Sequence, residues 1–404
     1  MVNDWPHIII LRIMHIKLEG ARLRLVHKSD KMELPCGCTP KEAAGSGVTI
    51  YKLDAPQVIN NYYIASYKDA QRLLMQPEEV GFQTYLDLLP PTTEVLRAPL
   101  LPNGEKLVKD GESLDILTIL RGGLNYPVEE ACHRAGIQVN NMNFLSCERI
   151  IENKKILGLQ IKYQKYNIAD NGTILIGDIV ATGDTLKECF NYVIDKYLKR
   201  GAKLRRIIFF TVGGTRAFDF MEGLTERLRE FWPDFEGFTC IFYEGIFSVY
   251  QHKGVTGVNV PNIDFYWNDS VLAPEYRRAV LEHENALFEK CIIYDGGARR
   301  YEIPEHYHEA MEYWRDIRTA ADHTNMKAFV DEKIGYPSPK SFEEWLEINH
   351  YSVESTTPRG ESCGNLMELY QQEEAFRQRS YKRNLKHIAE VRLQEIEAAL
   401  GKYL

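Results

Sequence analysis

The 404-residue chain has no apolar run approaching the roughly 18 residues that a membrane-spanning helix needs. Its most apolar N-terminal cluster, Ile8 to Leu11, is followed at once by Arg12 and then by His15 and Lys17. That makes a poor signal peptide, so a cytoplasmic location is the default expectation and a membrane partner is not expected. Positive charge is not in excess either: 49 Lys and Arg stand against 57 Asp and Glu, a net charge of −8. Non-specific nucleic-acid binding is therefore not expected, although a local basic pocket can still hold phosphates. Cysteine is sparse. Of the eight, only Cys36 and Cys38 are close, with no second pair at zinc-finger spacing. This density excludes a disulfide scaffold, and reduced cysteines serving as small apolar residues are expected. Internal repeats and low-complexity tracts are absent, which excludes solenoids. What is there is an ordinary globular balance, 44% hydrophobic and 26% charged, which excludes disorder of the whole chain.

Three regions follow from the patterning. Residues 1–50 read as an N-terminal extension, with a strand over 8–18, where apolar side chains recur near period two, and a Pro/Gly-rich loop over 28–47. Residues 51–269 alternate short apolar runs with amphipathic stretches. The runs are Asp115–Leu120, Thr173–Ile176, Arg206–Val212 and Gly237–Tyr243, and helices are predicted over Thr185–Arg200 and Ala217–Glu230. Buried runs of this length separated by helices predict an α/β fold with a central parallel sheet flanked by helices. Residues 270–404 read as an added helical region. Glu275–Lys290 has helical spacing, Ser341–Glu344 is a capping-box pattern, and residues 365–403 form one long charged amphipathic stretch.

The stretch Thr173–Thr185 carries the chemistry. An apolar strand ends in Gly177-Asp178, and Ala181, Thr182, Gly183, Asp184 and Thr185 lead into a helix. Small and hydroxyl residues at a helix N-terminus form an anion site, because free N–H groups and the positive end of the dipole face the ligand. Gly183 lets the backbone approach closely. Asp178 falls at the carboxyl end of its strand, where open α/β sheets bind ligands, and its carboxylate can accept hydrogen bonds from sugar hydroxyls.

This segment resembles the phosphoribosyl-diphosphate (PRPP) binding motif of the type I phosphoribosyltransferases, in which two acids and an apolar pair precede a Thr/Gly-rich phosphate loop. The second acid is Asp178 and the pair Ile179-Val180, while Gly177 stands in the place of the first acid. Further matches follow the uracil branch most closely. Ile119–Leu124, with Arg121, Gly122 and Gly123, is similar to the diphosphate-binding loop. Leu145–Arg149 matches, by spacing, a segment whose arginine contacts diphosphate. Ile150–Asp170, rich in lysine, corresponds to a hood over PRPP or, on a plainer reading, to a solvated hairpin. Lys199–Arg216 resembles the next core strand and its loop. The resemblance spans about residues 80–265 and thins at Lys253–Asp264, where the family reads the base.

The resemblance implies a Mg²⁺-dependent phosphoribosyltransferase that moves 5-phosphoribosyl from PRPP to a nucleobase-like acceptor and releases diphosphate. It implies Asp178, Arg149 and Arg121 as catalytic residues. PRPP would be bound by Arg121, Gly122, Gly123, Arg149, Asp178 and the loop Ala181, Thr182, Gly183, Asp184 and Thr185. Asn262 and Asp264 would touch the base, the metal would meet Asp178 through PRPP, and the chain would form a homodimer or larger oligomer. The alternative is a catalytically inactive PRPP- or nucleotide-sensing regulator on the same fold. Asp184, a negative charge in the phosphate loop, fits either as a first-turn helix acid pointing outward or as a brake on phosphate binding.

Overall fold

The structure, a computed structural model, describes residues 34–36, 41–42, 47–53, 59–101, 104–109, 111–120, 122, 124–152, 155–180, 183–250, 254, 256–258, 264–290, 296–353 and 362–404. The strand expected over 8–18 lies outside them.

A ten-stranded mixed sheet organises the chain. It is built from β2 (Lys41–Glu42), β3 (Thr49–Lys52), β4 (Asn61–Ser66), β5 (Ser113–Leu120), β6 (Gln138–Glu152), β7 (Lys155–Lys165), β8 (Gly172–Val180), β9 (Leu204–Gly214), β10 (Phe238–Val249) and β11 (Phe265–Leu272). The order is β2-β3-β4-β10-β9-β8-β5-β6-β7, with β11 also paired to β10. From β4 through β6 every pairing is parallel, and antiparallel pairs close the edges. The parallel centre is buried on both sides, as its unbroken apolar runs require: every residue of β10 is buried, as are Ile174, Leu175 and Ile176 of β8.

Helices α1 (Lys68–Met75), α2 (Phe82–Arg97), α3 (Val128–Arg134), α4 (Asp184–Arg200) and α5 (Thr215–Phe231) cover this sheet. Among them, α4 lies against β6 and β7, and α5 against β9 and β10. The expected central parallel sheet flanked by helices is therefore present, each strand running a few residues beyond its apolar run.

The helical region is present too. It holds α6 (Pro274–Glu282), α7 (Gly296–Tyr301), α8 (Ile303–Ala320), α9 (Met326–Ile334), α10 (Phe342–Ile348), α11 (Ser362–Ser380) and α12 (Leu385–Leu400). Trp314, Phe329, Trp345, Leu369 and Ile396 are fully buried within it. The helix start forms at Ser341, whose Oγ accepts the Glu344 N–H at 3.2 Å, while the Glu344 carboxylate reaches back to the Lys340 N–H at 2.7 Å. The stretch 365–403 is divided between two helices, because Asn384 caps a new start by accepting the His387 N–H at 3.0 Å. One expectation is corrected. The segment 28–47, expected as a loop, contains strands: β1 (Leu34–Cys36) pairs in parallel with β12 (Tyr351–Val353). That partner is more than 300 residues away in sequence, so no local pattern announces it, and Pro35 is tolerated because a two-stranded sheet consists only of edges.

Candidate functional site

The winding of the chain along the sheet reverses between β5 and β8, which run parallel. After β5 the chain passes through α3 to β6 on one side; after β8 it passes through α4 to β9 on the other. Such a switch point opens a crevice outside the carboxyl ends of the two strands, where open α/β sheets take their ligands. The register Leu117↔Ile176 brings Ile119 and Asp178 level with each other at that edge.

Two glycines let the walls of the crevice close. A Cβ at Gly122 would stand 2.6 Å from Asp178 Oδ1 and 2.8 Å from the Ile119 carbonyl oxygen. A Cβ at Gly177 would stand 2.3 Å from the Leu124 carbonyl oxygen and 3.1 Å from Asn125 Cα. The missing first acid thus has a steric cause: the backbone of the β5–α3 loop fills the place where its side chain would begin. The sequence signal for this was a glycine inside a buried strand, which marks close backbone approach.

Asp178 is 8% exposed, and among the described residues its Oδ1 accepts one hydrogen bond, from the Ile179 N–H at 2.9 Å. Burial pushes its carboxyl up to about 7, against the single N–H that favours the anion. A poorly partnered buried carboxylate at a sheet's carboxyl edge has the electrostatics of a functional group rather than of a structural one.

Beyond β8, Gly183 takes the left-handed conformation (φ 79°) and accepts the Lys187 N–H at 2.8 Å as the cap of the 17-residue α4. Thr185 lies in the first turn, partly exposed, and Asp184 begins the helix. Ala181, Thr182, Arg121, Gly123 and Asn262 lie outside the described residues. Arg149 is on β6 opposite Leu159 of β7, past the end of the β5–β6 pairing at Ser146. The lysine-rich interval after it is a β-hairpin, with Lys162 and Lys165 exposed on β7. Asp264 is almost fully buried, just ahead of β11, which lies three strands from β8; its carbonyl accepts the Tyr250 N–H at 3.0 Å. The structure therefore places Asp178, Gly122 and Gly183 at the β5–β8 edge and Asp264 beside Tyr250. The described residues hold no cluster of three or more His, Cys, Asp or Glu fit for a metal ion, and none of their helices is long and apolar enough to cross a membrane.

No protein-family model and no curated protein matches the chain. Solved structures that match part of it include a protein of Aquifex aeolicus (18% identity, 44% of this chain and 81% of that one, TM-score 0.29). A hypoxanthine phosphoribosyltransferase of Staphylococcus aureus matches at 21% identity over 36% of this chain and 63% of its own, with a TM-score of 0.21. A purine phosphoribosyltransferase of Pyrococcus horikoshii matches at 21% identity over 32% and 71%, with a TM-score of 0.22. Superpositions this partial define neither a substrate nor a reaction, so the functional reading rests on the crevice.

Proposed function

We propose that this chain is a phosphoribosyltransferase that binds PRPP in the β5–β8 crevice and passes its 5-phosphoribosyl group to a nucleobase-like acceptor. The observation that carries the reading is the buried Asp178 carboxylate, set at the switch point between a glycine-walled loop and a capped helix N-terminus. Hydroxyl donors of a pentose supply the hydrogen bonds that Asp178 lacks, and so favour its anion once the sugar is bound. The loop 181–185 and the first turn of α4 receive the 5′-phosphate through N–H groups and the helix dipole. Holding the phosphate at one end and the hydroxyls at the other fixes C1 for attack. The C1–oxygen bond to diphosphate breaks, the bond from C1 to the acceptor nitrogen forms, and the nitrogen's proton leaves to solvent.

Charge collects on the departing diphosphate, so catalysis is chiefly electrostatic, with Arg121 and Arg149 as the proposed cationic partners; losing one such partner costs about 3 kcal/mol. Magnesium, which binds through one or two carboxylates and substrate oxygens, would neutralise diphosphate charge when present. Among the described side chains Asp178 is the carboxylate at this edge, and the Leu124 carbonyl leaves no room for a second from position 177.

The test is diphosphate release from PRPP and Mg²⁺ with uracil, hypoxanthine and guanine in turn. Release that needs a base, and that falls at least about a hundredfold in Asp178→Asn, supports the transferase. Full activity in that variant removes Asp178 from the site. The single carboxylate also favours a second reading, a PRPP or nucleotide sensor. Tight PRPP binding by calorimetry with no release for any base selects it.

A further inference from the structure

The helical region reaches the crevice wall from outside, through α7. The β5–α3 loop closes on Asp178 at Gly122 and on Gly177 at Leu124 and Asn125, and Tyr126 is the next residue along it. The Tyr126 ring meets the Tyr301 ring edge-on, with centroids 5.2 Å apart and planes at 89°, a favoured geometry for an aromatic pair. The Arg300 guanidinium lies 5.6 Å from the centre of the Tyr126 ring, 4.9 Å from that of Phe82 at the start of α2 and 5.9 Å from that of Tyr301. All three distances fall within the roughly 6 Å at which a ring face attracts a cation. Arg300 Nε is buried and has no hydrogen-bond partner among the described residues, which leaves ring contact to hold it.

The helix that carries Arg300 is anchored through other groups. The Arg299 guanidinium is almost fully buried and donates to the Leu73 and Gln76 carbonyls at the end of α1. The Arg299 carbonyl accepts the Gly81 N–H at 2.8 Å, just ahead of α2. One arginine thus ties α7 to the sheet's covering helices, and its neighbour extends that support to the β5–α3 loop. The inner face of the loop has no slack, since a Cβ at Gly122 or Gly177 would already collide. Movement is therefore open to it only outward, toward Arg300 and Tyr301, and would uncover Asp178. A bound group is held best by a shell that packing locks in place, and a displacement of about 1 Å can cost on the order of a hundredfold.

We propose that Arg300 is a positioning residue for the crevice: from α7 it clamps Tyr126 and so keeps the β5–α3 loop closed on Asp178. The proposal rests on the phosphoribosyltransferase reading above and gives the helical region a task in it. PRPP binding in the presence of Mg²⁺ is measured by calorimetry, and KM for uracil, hypoxanthine or guanine is measured at saturating PRPP. Arg300→Ala is expected to weaken PRPP binding by about tenfold while KM for the base stays within about twofold. Arg300→Lys keeps a cation but loses the planar group that stacks on rings, and should fall between the two. Tyr301→Ala removes a ring that is 61% exposed, so the fold survives, and should weaken PRPP binding by a smaller factor of about threefold. Unchanged PRPP binding in Arg300→Ala and Tyr301→Ala overturns the proposal; if Arg300→Ala fails to fold, Tyr301→Ala decides alone. A base KM that rises by the same factor as the PRPP constant also overturns it, since that marks general loosening. If the wild-type protein binds PRPP without turnover, the calorimetric loss alone decides. Wild-type protein that neither binds nor turns over PRPP overturns the underlying reading itself, and the proposal with it.

Discussion

At its amino end β8 meets a carboxylate with many partners, and at its carboxyl end it carries one with few. Glu112 accepts from Thr173 at 2.8 Å, from Arg206 at 2.6 Å and from Arg205 at 3.2 Å. Burial raises its carboxyl, but the Thr173 and Lys109 donors and the two guanidinium charges outweigh that and hold it below the usual carboxylate range. Asp178, five residues from Thr173 on the same strand, has the Ile179 N–H and is driven the other way, up to about 7. The same strand thus meets a well-partnered ion cluster at one edge and carries, at the other, a buried carboxyl with one hydrogen bond among the described residues. The charge is satisfied by the chain itself at the first edge and disfavoured by burial at the second.

The sharpest way to break this contrast is to force the missing acid back. Gly177→Ala is expected to cost about 3 kcal/mol or more, because its Cβ meets a backbone carbonyl that no side-chain rotation can clear. Gly177→Asp should cost at least as much and should not improve PRPP binding. Urea unfolding measures the first and calorimetry the second. An Asp variant that is stable and binds more tightly would show that the Leu124–Asn125 loop yields easily.

Next comes the pH response of Asp178. Its folded pKa lies above its unfolded one, so between about pH 4 and pH 7 the folded state holds the extra proton and stability falls as pH rises. A shift of this size corresponds to about 2–4 kcal/mol of lost stability above pH 7. Asp178→Asn should therefore unfold in more urea than wild type at pH 8 and in about the same at pH 4. Equal gains at both pH values would mean that the carboxylate is not strained.

Much of the α/β plan was legible because it is local. Apolar runs gave β5, β8, β9 and β10, and Ser341 gave a helix start. Asp178 was legible as a strand end and Gly183 as a glycine in the loop before a helix; that it caps the helix came from the structure. Three things were not, each for a reason of distance along the chain. Gly177 was visible only as a missing acid, since what excludes the acid is the backbone at Leu124. Arg300 is one of two adjacent arginines until Phe82 and Tyr126 fold against it. The pairing of Leu34–Cys36 with Tyr351–Val353 depends on the two ends of the chain meeting.

At the amino edge the expected effects are smaller. Glu112→Gln leaves the buried Arg206 with Glu236 at 3.6 Å as its nearest remaining anion and should cost about 2 kcal/mol, less than a fully buried pair because Glu112 keeps some exposure. Thr173→Val removes only a hydroxyl from a site of nearly the same shape, at a cost of about 1 kcal/mol. Its pH dependence separates two roles for that hydroxyl. Glu112 has a lowered folded pKa, so its contribution is present above the unfolded value and is lost as pH falls through the folded one. If Thr173 acts through the charge of Glu112, the penalty seen at pH 7 should shrink as acid is added and the folded carboxylate takes up its proton, below the usual carboxylate range. A penalty that keeps its size in acid would assign Thr173 to packing alone, and the amino edge would then owe its stability to the arginines rather than to the full cluster.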